Sequence, residues 1–125
     1  EREVIRRKTF ALEPISAGDA AEDMVALDHD FYLFLDVDTG ADSVVYRRDD
    51  GLAVIAPAGA AAPAGGDQDP VRETSRYSEP LGFADAVSEM DVLNHRFLFF
   101  TDAGTGRGAV LYLRYDGHYG VIEPA

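Results

Sequence analysis

Few side chains in this 125-residue chain are suited to metal chemistry, and their spacing argues against a metal site. The chain has no cysteine, and His29 and His95 are two of its three histidines. Neither belongs to a His-x-x-x-His pair, so we interpret both as hydrogen-bonding residues at a junction between a helix and a strand. The acidic segment Asp36-x-Asp38-x-Gly40 lacks the third ligand position, the glycine placement and the terminal glutamate of a calcium loop. We therefore predict neither a metal nor a cofactor.

A different chemistry is suggested by Asp-Thr-Gly-Ala, the four residues from Asp38 to Ala41. They resemble the active-site segment of retropepsin-like aspartic proteases, in which two subunits each supply one aspartate and the two carboxylates share a proton and activate water. Gly104 stands at the matching place in the internal copy described next, so one chain cannot supply both carboxylates, although a homodimer could. No later hydrophobic-hydrophobic-Gly element is evident. A homodimeric protease that uses Asp38, Thr39 and Gly40 is the alternative function, and a polar hairpin turn is the favoured interpretation.

The strongest pattern in the chain is an internal repeat at a constant offset. The first copy reads Met24-x-x-Leu27-x-His29-x-Phe31-x-x-Phe34-x-Asp36, and the second reads Met90-x-x-Leu93-x-His95-x-Phe97-x-x-Phe100-x-Asp102. A shared offset over nearly a whole unit indicates two copies of one small domain. A stretch rich in alanine, glycine and proline separates them, as in a flexible linker. We therefore divide the chain into a first repeat, 1–57, a linker, 58–70, and a second repeat, 71–125.

Each repeat has the pattern of a β-α-β-β-β unit, and the predicted fold class is α+β. In the first repeat, a strand is predicted from Val4 to Leu12 because β-branched and aromatic residues recur there. Ser16 is a suitable N-cap for a helix whose apolar stripe reaches Met24. Three further strands follow, and Asp-Gly pairs in both repeats predict tight hairpin turns.

The central strands are apolar on both faces. Residues 31–35, Phe-Tyr-Leu-Phe-Leu, and 97–100, Phe-Leu-Phe-Phe, do not alternate with polar residues. Such strands occur where both sides of a sheet are covered, whereas the one helix of each unit can cover only one side. A unit of this size is also only marginally stable alone, because it buries too small a fraction of its surface. We therefore predict that the two repeats pack sheet to sheet as a pseudo-dimer.

The composition indicates a soluble, folded, cytoplasmic chain, and no membrane is predicted as a partner. A formal net charge of −12 argues against general nucleic-acid binding, which needs a basic surface. No apolar run approaches the length of a membrane span. The charged N-terminus differs from a signal peptide and lacks an initiator Met, so we interpret the chain as a fragment of a longer protein.

The repeated motifs are similar to those of a known family. The ordered segments Met-x-x-Leu-x-His-Asp-Phe-Tyr-Leu-Phe, Asp-Thr-Gly, Val-Val-Tyr-Arg-Arg-x-Asp-Gly and Val-Ile-x-Pro resemble the C-terminal domain of long-form ribosome hibernation promoting factors. These bacterial proteins are also described as sigma-54 modulation or ribosome-associated inhibitor proteins. The resemblance covers residues 4–57 and 71–124. It implies a β-rich domain whose open sheet face pairs with a second copy, while a separate basic N-terminal domain binds the small ribosomal subunit and blocks mRNA and tRNA.

The resemblance implies a non-enzymatic pairing module that helps to store ribosomes in an inactive state under stress. An ordinary factor has one such domain, so the duplication predicts pairing within one chain, with pairing to another copy left open. The family's pairing residues carry over to these matching positions: Phe31, Phe34, Val45, Tyr46, Phe97, Phe100, Leu111 and Tyr112. A small basic patch could contact the ribosome or could be a solvated sheet edge, and it comprises Arg6, Arg7, Lys8, Arg47 and Arg48.

Overall fold

The structure is a computed structural model that describes residues 3–60, 70–93 and 95–125. Residues 61–69 of the predicted linker lie outside these ranges. The described part forms nine strands and two helices, in this order: β1 (Val4–Phe10), β2 (Pro14–Ile15), α1 (Ala17–Ala26), β3 (Phe31–Asp36), β4 (Asp42–Arg48), β5 (Gly51–Ala56), β6 (Val71–Thr74), α2 (Phe83–Leu93), β7 (Phe97–Thr101), β8 (Gly108–Leu113) and β9 (Tyr119–Pro124). The predicted α+β class is confirmed, and the first repeat has one additional strand, the two-residue β2.

Local sequence signals account for the ends of these elements. Ser16 is extended at the N-cap of α1, and its hydroxyl oxygen accepts a hydrogen bond from the Asp19 N–H at 3.0 Å. The α1-to-β3 junction includes Asp28 at φ 55°, followed by His29, whose N–H donates to the Met24 carbonyl oxygen at 3.0 Å. The Asp-Gly turns form as predicted, and Gly51, the first residue of β5, has a φ of 134° that favours glycine.

The chain divides into two compact units that do not follow the sequence repeats strand for strand. Unit 1 comprises residues 1–11 and 79–125, and unit 2 comprises residues 12–78. The sheet of unit 1 has the order β1-β9-β8-β7, and that of unit 2 has the order β2-β3-β4-β5-β6. β1 is parallel to β9, and β6 is parallel to β5. Each repeat therefore contributes its first strand to the sheet that the other repeat builds. The division into repeats 1–57 and 71–125 therefore stays a prediction from sequence.

Each unit has a core between its helix and one face of its sheet. In unit 2 the small residues Ala17, Ala20 and Ala21 of α1 allow the helix to approach the sheet closely, and Met24 fills the cluster at 0 % exposure. Unit 1 buries Met90 of α2 at 1 % exposure. The shared spacing of these two methionines within the repeat places each at the matching point of its own core.

Candidate interaction surfaces

The sheet of unit 2 has one face toward α1 and one face turned the other way. Phe34 and Val45 belong to the buried cluster that includes Met24, so their side chains lie on the helix side. Phe31 pairs in register with Tyr46. Phe31 lies three positions before Phe34 on β3, and Tyr46 lies one position after Val45 on β4. Because successive side chains in a strand alternate, Phe31 and Tyr46 lie on the face opposite the helix.

The same division holds in the sheet of unit 1. The ring of Phe100 lies 6.5 Å from the ring of Phe83 at the start of α2, which places Phe100 on the helix side. Leu111, at 0 % exposure, shares that face by register and alternation. Phe97 pairs in register with Tyr112, and both lie on the opposite face.

Half of the predicted pairing residues therefore serve the core of their own unit. The face opposite the helix nevertheless holds buried side chains in both units: Leu33 at 6 % exposure, Val44 at 0 %, Phe99 at 4 % and Val110 at 0 %. This burial on two faces agrees with the apolar character of the central strands. Phe31, Tyr46, Phe97 and Tyr112 are thus the predicted residues that remain candidates for pairing between sheets.

On this second face of unit 1, an aromatic ring lies directly against the backbone of a neighbouring strand. A Cβ atom added at Gly120 of β9 would lie 2.4 Å from Cζ of Tyr112 on β8, much closer than real Cβ atoms approach other atoms. Tyr112 and Gly120 are register partners, so the ring occupies the space that a side chain at position 120 would fill. The matching pair in unit 2 is Tyr46 with Ala53.

A partly buried ion pair ties the exchanged strand β6 to β3, across β5 and β4. The Arg72 guanidinium lies 2.7 Å from the carboxylate of Asp36, which is fully buried at the end of β3, and 3.6 Å from the carboxylate of Asp38. A charge-assisted contact of this kind compensates the cost of burying a carboxylate. Sequence reasoning did not single out Arg72, because its partner lies on a strand of the other repeat and no spacing signal connects them.

The next residue of β6 makes a second polar contact with the sheet. The Tyr46 hydroxyl donates a hydrogen bond to the Glu73 carboxylate, and the Arg48 guanidinium lies 3.6 Å from the same carboxylate. Burial raises the pKa of Tyr46 to about 12, and the hydrogen bond to Glu73 and its negative charge act in the same direction. The phenol therefore stays protonated and can keep donating throughout the physiological range. Glu73 was also missed by sequence reasoning, for the same reason as Arg72.

The exchanged strand β1 is held differently. The Arg7 guanidinium lies 4.9 Å from the ring centroid of Phe83 and 3.7 Å from the Glu123 carboxylate. At the start of the strand, the Glu3 N–H donates to Nδ1 of His118 at 3.1 Å. At its end, the Ala125 N–H donates to the Phe10 carbonyl oxygen at 2.7 Å. Contacts along its whole length therefore hold β1 against β9.

The predicted basic patch is divided between the two sheets: Arg6, Arg7 and Lys8 lie on β1 of unit 1, whereas Arg47 and Arg48 lie on β4 of unit 2. The two groups therefore lie in different sheets and not on adjacent strands of one sheet. Arg47 donates to the His29 carbonyl oxygen at 3.2 Å and lies 3.9 Å from the Asp30 carboxylate. A contact between these residues and the ribosome stays a prediction.

The segment from Asp36 to Gly40 forms a turn between β3 and β4. The Asp38 N–H donates to Oδ1 of Asp36 at 2.9 Å, and Gly40 has a φ of 72°. The carboxylate of Asp38 lies 3.6 Å from the guanidinium of Arg72, an ion-pair contact. This geometry supports the hairpin-turn interpretation and gives the protease alternative no support.

Metal ions and membranes would each require a further kind of feature in the described part of the chain. Residues 3–60, 70–93 and 95–125 contain no group of three or more His, Asp or Glu side chains placed to hold a metal ion. Neither helix there is long and apolar enough to cross a membrane.

The sequence matches one family model in two places. The family described as Sigma 54 modulation/S30EA ribosomal protein C terminus matches residues 1–52 and residues 68–121. The matched regions cover most of the chain, and their two-part arrangement agrees with the repeat. The chain belongs to this family, and the resemblance predicted from sequence is confirmed.

Similar proteins carry names that concern translation and ribosomes. The "Dormancy associated translation inhibitor" of Mycobacterium tuberculosis is 42% identical over 130 residues, which cover 97% of this chain and 47% of that protein. The "Ribosome hibernation promotion factor" of Picosynechococcus is 46% identical over 56 residues, or 44% of this chain and 29% of that protein. The factor of the same name from Staphylococcus aureus is 47% identical over 51 residues, or 41% of this chain and 27% of that protein. This chain thus spans about half the length of the mycobacterial relative.

Proposed function

From this family membership, we propose that the chain is the non-catalytic pairing module of a bacterial ribosome hibernation factor, and that its two repeats pair within one chain. The observation that carries the proposal is the reciprocal strand exchange. β1 adds a strand to β9, and β6 adds a strand to β5, so each sheet uses a strand of the other repeat. A single chain supplies both partners of the exchange, which makes a second chain unnecessary.

The burial of both sheet faces supports the same proposal. Val44 and Val110 lie on the faces opposite the helices and are 0 % exposed. A face with such residues needs an apolar cover, and the matching sheet of the other repeat is similarly apolar and has aromatic residues at the same predicted positions. We propose that Phe31 and Tyr46 on one sheet, and Phe97 and Tyr112 on the other, form this sheet-to-sheet contact.

Pairing within one chain has a consequence for ribosomes. In a factor with a single repeat, the pairing surface is open to a second factor. In a factor with two repeats, each repeat occupies the pairing surface of the other. The proposed factor acts in the cytoplasm on single ribosomes, which it binds through a separate domain of a longer protein, and this module does not join two ribosomes. The net charge of −12 fits a module that contributes little direct contact with RNA.

The mass of the chain in solution tests this proposal. Size-exclusion chromatography with light scattering, over a wide range of protein concentrations, is expected to show a constant mass near 13.6 kDa. A mass of twice that value would mean that the repeats pair between chains. In that case the module could join two ribosomes, and pairing within one chain would be wrong.

A further inference from the structure

The two predicted pairing faces differ in charge at one matching position. Asp42, the first residue of β4, is 6 % exposed and lies two positions before Val44, so its side chain shares the face opposite α1. The matching residue of the second repeat is Gly108, the first residue of β8. The face of unit 2 therefore holds a buried carboxylate at a place where the face of unit 1 has no side chain.

The residue before Gly108 supplies the opposite charge. Arg107 matches Ala41 of the first repeat. Its N–H donates to Oγ1 of Thr105 at 3.1 Å, and its carbonyl oxygen accepts from the Asp102 N–H at 2.9 Å, so its backbone is fixed at the start of β8. The two repeats thus carry Ala-Asp and Arg-Gly at the same two positions, so the anion and the cation each occur in one repeat alone.

The burial of Asp42 calls for a compensating cation, because a buried carboxylate is destabilising unless a cation or hydrogen-bond donors offset its charge. Residues 12–78 contain four arginines and no lysine. Three of these arginines contact other carboxylates: Arg47 with Asp30, Arg48 with Glu73 and Arg72 with Asp36. The guanidinium of the fourth, Arg76, lies 5.9 Å from the ring centroid of Tyr77. A cation for Asp42 would then come from unit 1.

The chain crosses between the two units at edge strands. β2 is an edge of the sheet of unit 2, β1 is an edge of the sheet of unit 1, and residues 11–13 join them. Counted from these edges, the third strand is β4 in one sheet and β8 in the other. This connection reaches at most about 14 Å, which is little more than the roughly 10 Å between packed sheets. In the proposed face-to-face packing, β4 therefore lies over β8.

The same connection determines which ends of these two strands meet. Two series of register partners lead to it: Asp42, Leu35 and Pro14 in unit 2, and Pro124 and Phe10 in unit 1. The antiparallel register of β8 with β9, continued by two residues, sets Gly108 opposite Pro124. The starts of β4 and β8 are thus at the end of each sheet where the chain crosses. In the proposed packing, the long side chain of Arg107 can reach the carboxylate of Asp42.

We propose that Asp42 and Arg107 form an ion pair across the two sheets, and that this pair makes the pairing surface specific for a repeat of the other type. Two first repeats in the same packing would bury two Asp42 carboxylates together, and two second repeats would bring two Arg107 guanidinium groups together. Either arrangement places like charges near one another, which disfavours it. The partner that fits each repeat is thus the other repeat of the same chain. This inference rests on the proposed pairing of the repeats and adds the residues that determine its specificity.

A double-mutant cycle in the intact chain tests the ion pair. Asp42→Asn and Arg107→Gln each remove one charge, and urea unfolding gives the equilibrium constant of unfolding for the single and double variants. We expect Arg107→Gln to raise this constant about tenfold more in the parent than in the Asp42→Asn background, equivalent to about 1.4 kcal/mol of coupling. Arg114→Gln is the matched control, because Arg114 lies beyond the other end of β8 and pairs with Asp116 at 3.2 Å. Its effect should be the same in both backgrounds.

An interchange of residues tests the specificity. Arg107→Ala with Gly108→Asp gives the second repeat the residues of the first, and we expect the equilibrium constant of unfolding to rise by about tenfold or more. Adding Ala41→Arg with Asp42→Gly completes the interchange and restores the ion pair in the opposite direction. The complete interchange should therefore recover most of the lost stability.

Equal effects of Arg107→Gln in the two backgrounds would overturn the ion pair, and a complete interchange no more stable than the half interchange would overturn the specificity. If Asp42→Asn fails to fold, Arg107→Gln is compared with Arg114→Gln, and equal losses of stability in these two variants overturn the ion pair.

Light scattering on the same proteins separates this inference from the proposed function. Coupling in a particle of 13.6 kDa supports both. Coupling in a particle of twice that mass places the ion pair between chains, so pairing within one chain is wrong although the ion pair stands. Absence of coupling in a particle of 13.6 kDa overturns the ion pair and leaves pairing within one chain intact.

Discussion

At the scale of single residues, the contact between Tyr46 and the exchanged strand β6 makes the stability of the fold depend on pH. Its hydroxyl donates to Glu73, and its pKa is raised from 10.0 to about 12, by burial first and then by the hydrogen bond and charge of Glu73. The folded chain therefore holds this proton more firmly than the unfolded chain does. The resulting stabilisation is fully present below the unfolded pKa of 10.0 and is lost as the pH rises through about 12.

We expect Tyr46→Phe to be less stable than the parent at neutral pH, by roughly 1 to 3 kcal/mol, since Glu73 loses a donor. The difference should shrink as the pH rises from below 10.0 to about 12. Urea unfolding of both proteins at each pH gives the two free energies of unfolding, and their difference is the quantity to follow. The difference is used because burial and the nearby Asp23 also raise the pKa of Tyr32, and this second pH dependence is common to both proteins and cancels. A difference that stays constant with pH would contradict the assigned role of the phenol.

At the scale of elements, β8 and β9 depend on the missing side chain at Gly120. A Cβ there would meet Cζ, Oη and Cε1 of Tyr112 at 2.4, 2.5 and 2.7 Å, so either the ring or the strand must move. We expect Gly120→Ala to lower the free energy of unfolding by about 1 to 3 kcal/mol, as overpacking does elsewhere. Gly82→Ala is the matched control, because its Cβ would have 3.9 Å to its nearest neighbour. Equal chemical stabilities of the two variants would contradict this close packing.

The elements themselves were largely predictable, and their partners were not. The N-cap at Ser16, the helix stripe through Met24 and the Asp-Gly turns are local signals, and each acts within a few residues of the chain. The sequence did not show which face of its sheet each predicted pairing residue lies on. The apolar runs of β3 and β7 do not alternate, so sequence could not separate Phe34 on the helix side from Phe31 on the other face. Only contacts with α1 distinguish them.

At the scale of the whole molecule, the exchange of first strands is the feature that sequence did not predict. Two similar repeats offer two nearly equivalent places for each first strand, and hydrophobic patterning is the same in both. In the structure, two sets of polar contacts hold β6 in its place: Arg72 with Asp36 and Asp38, and Glu73 with Tyr46 and Arg48. The buried carboxylate of Asp36 thus belongs to the assembly of the two repeats, although in sequence it lies in a turn motif that suggested metal or protease chemistry.

Two overlapping fragments distinguish the compact unit from the sequence repeat. Fragment 12–78 contains all of β2 to β6 with α1, and fragment 1–57 contains β1 in place of β6. We expect fragment 12–78 to unfold more cooperatively and at a higher temperature, measured by circular dichroism. Its β5 edge is paired with β6, and Arg72 compensates the buried charge of Asp36.

Fragment 1–57 has an uncovered β5 edge, an uncompensated Asp36 and a β1 strand without β9. Mixing it with fragment 71–125 should restore its structure, because the two fragments together can exchange β1 and β6 as the intact chain does. The restored structure should depend on the concentration of the second fragment, since this association is bimolecular. If fragment 1–57 alone were as stable as fragment 12–78, and mixing changed nothing, each repeat would complete its own sheet and the exchange would not hold the two repeats together.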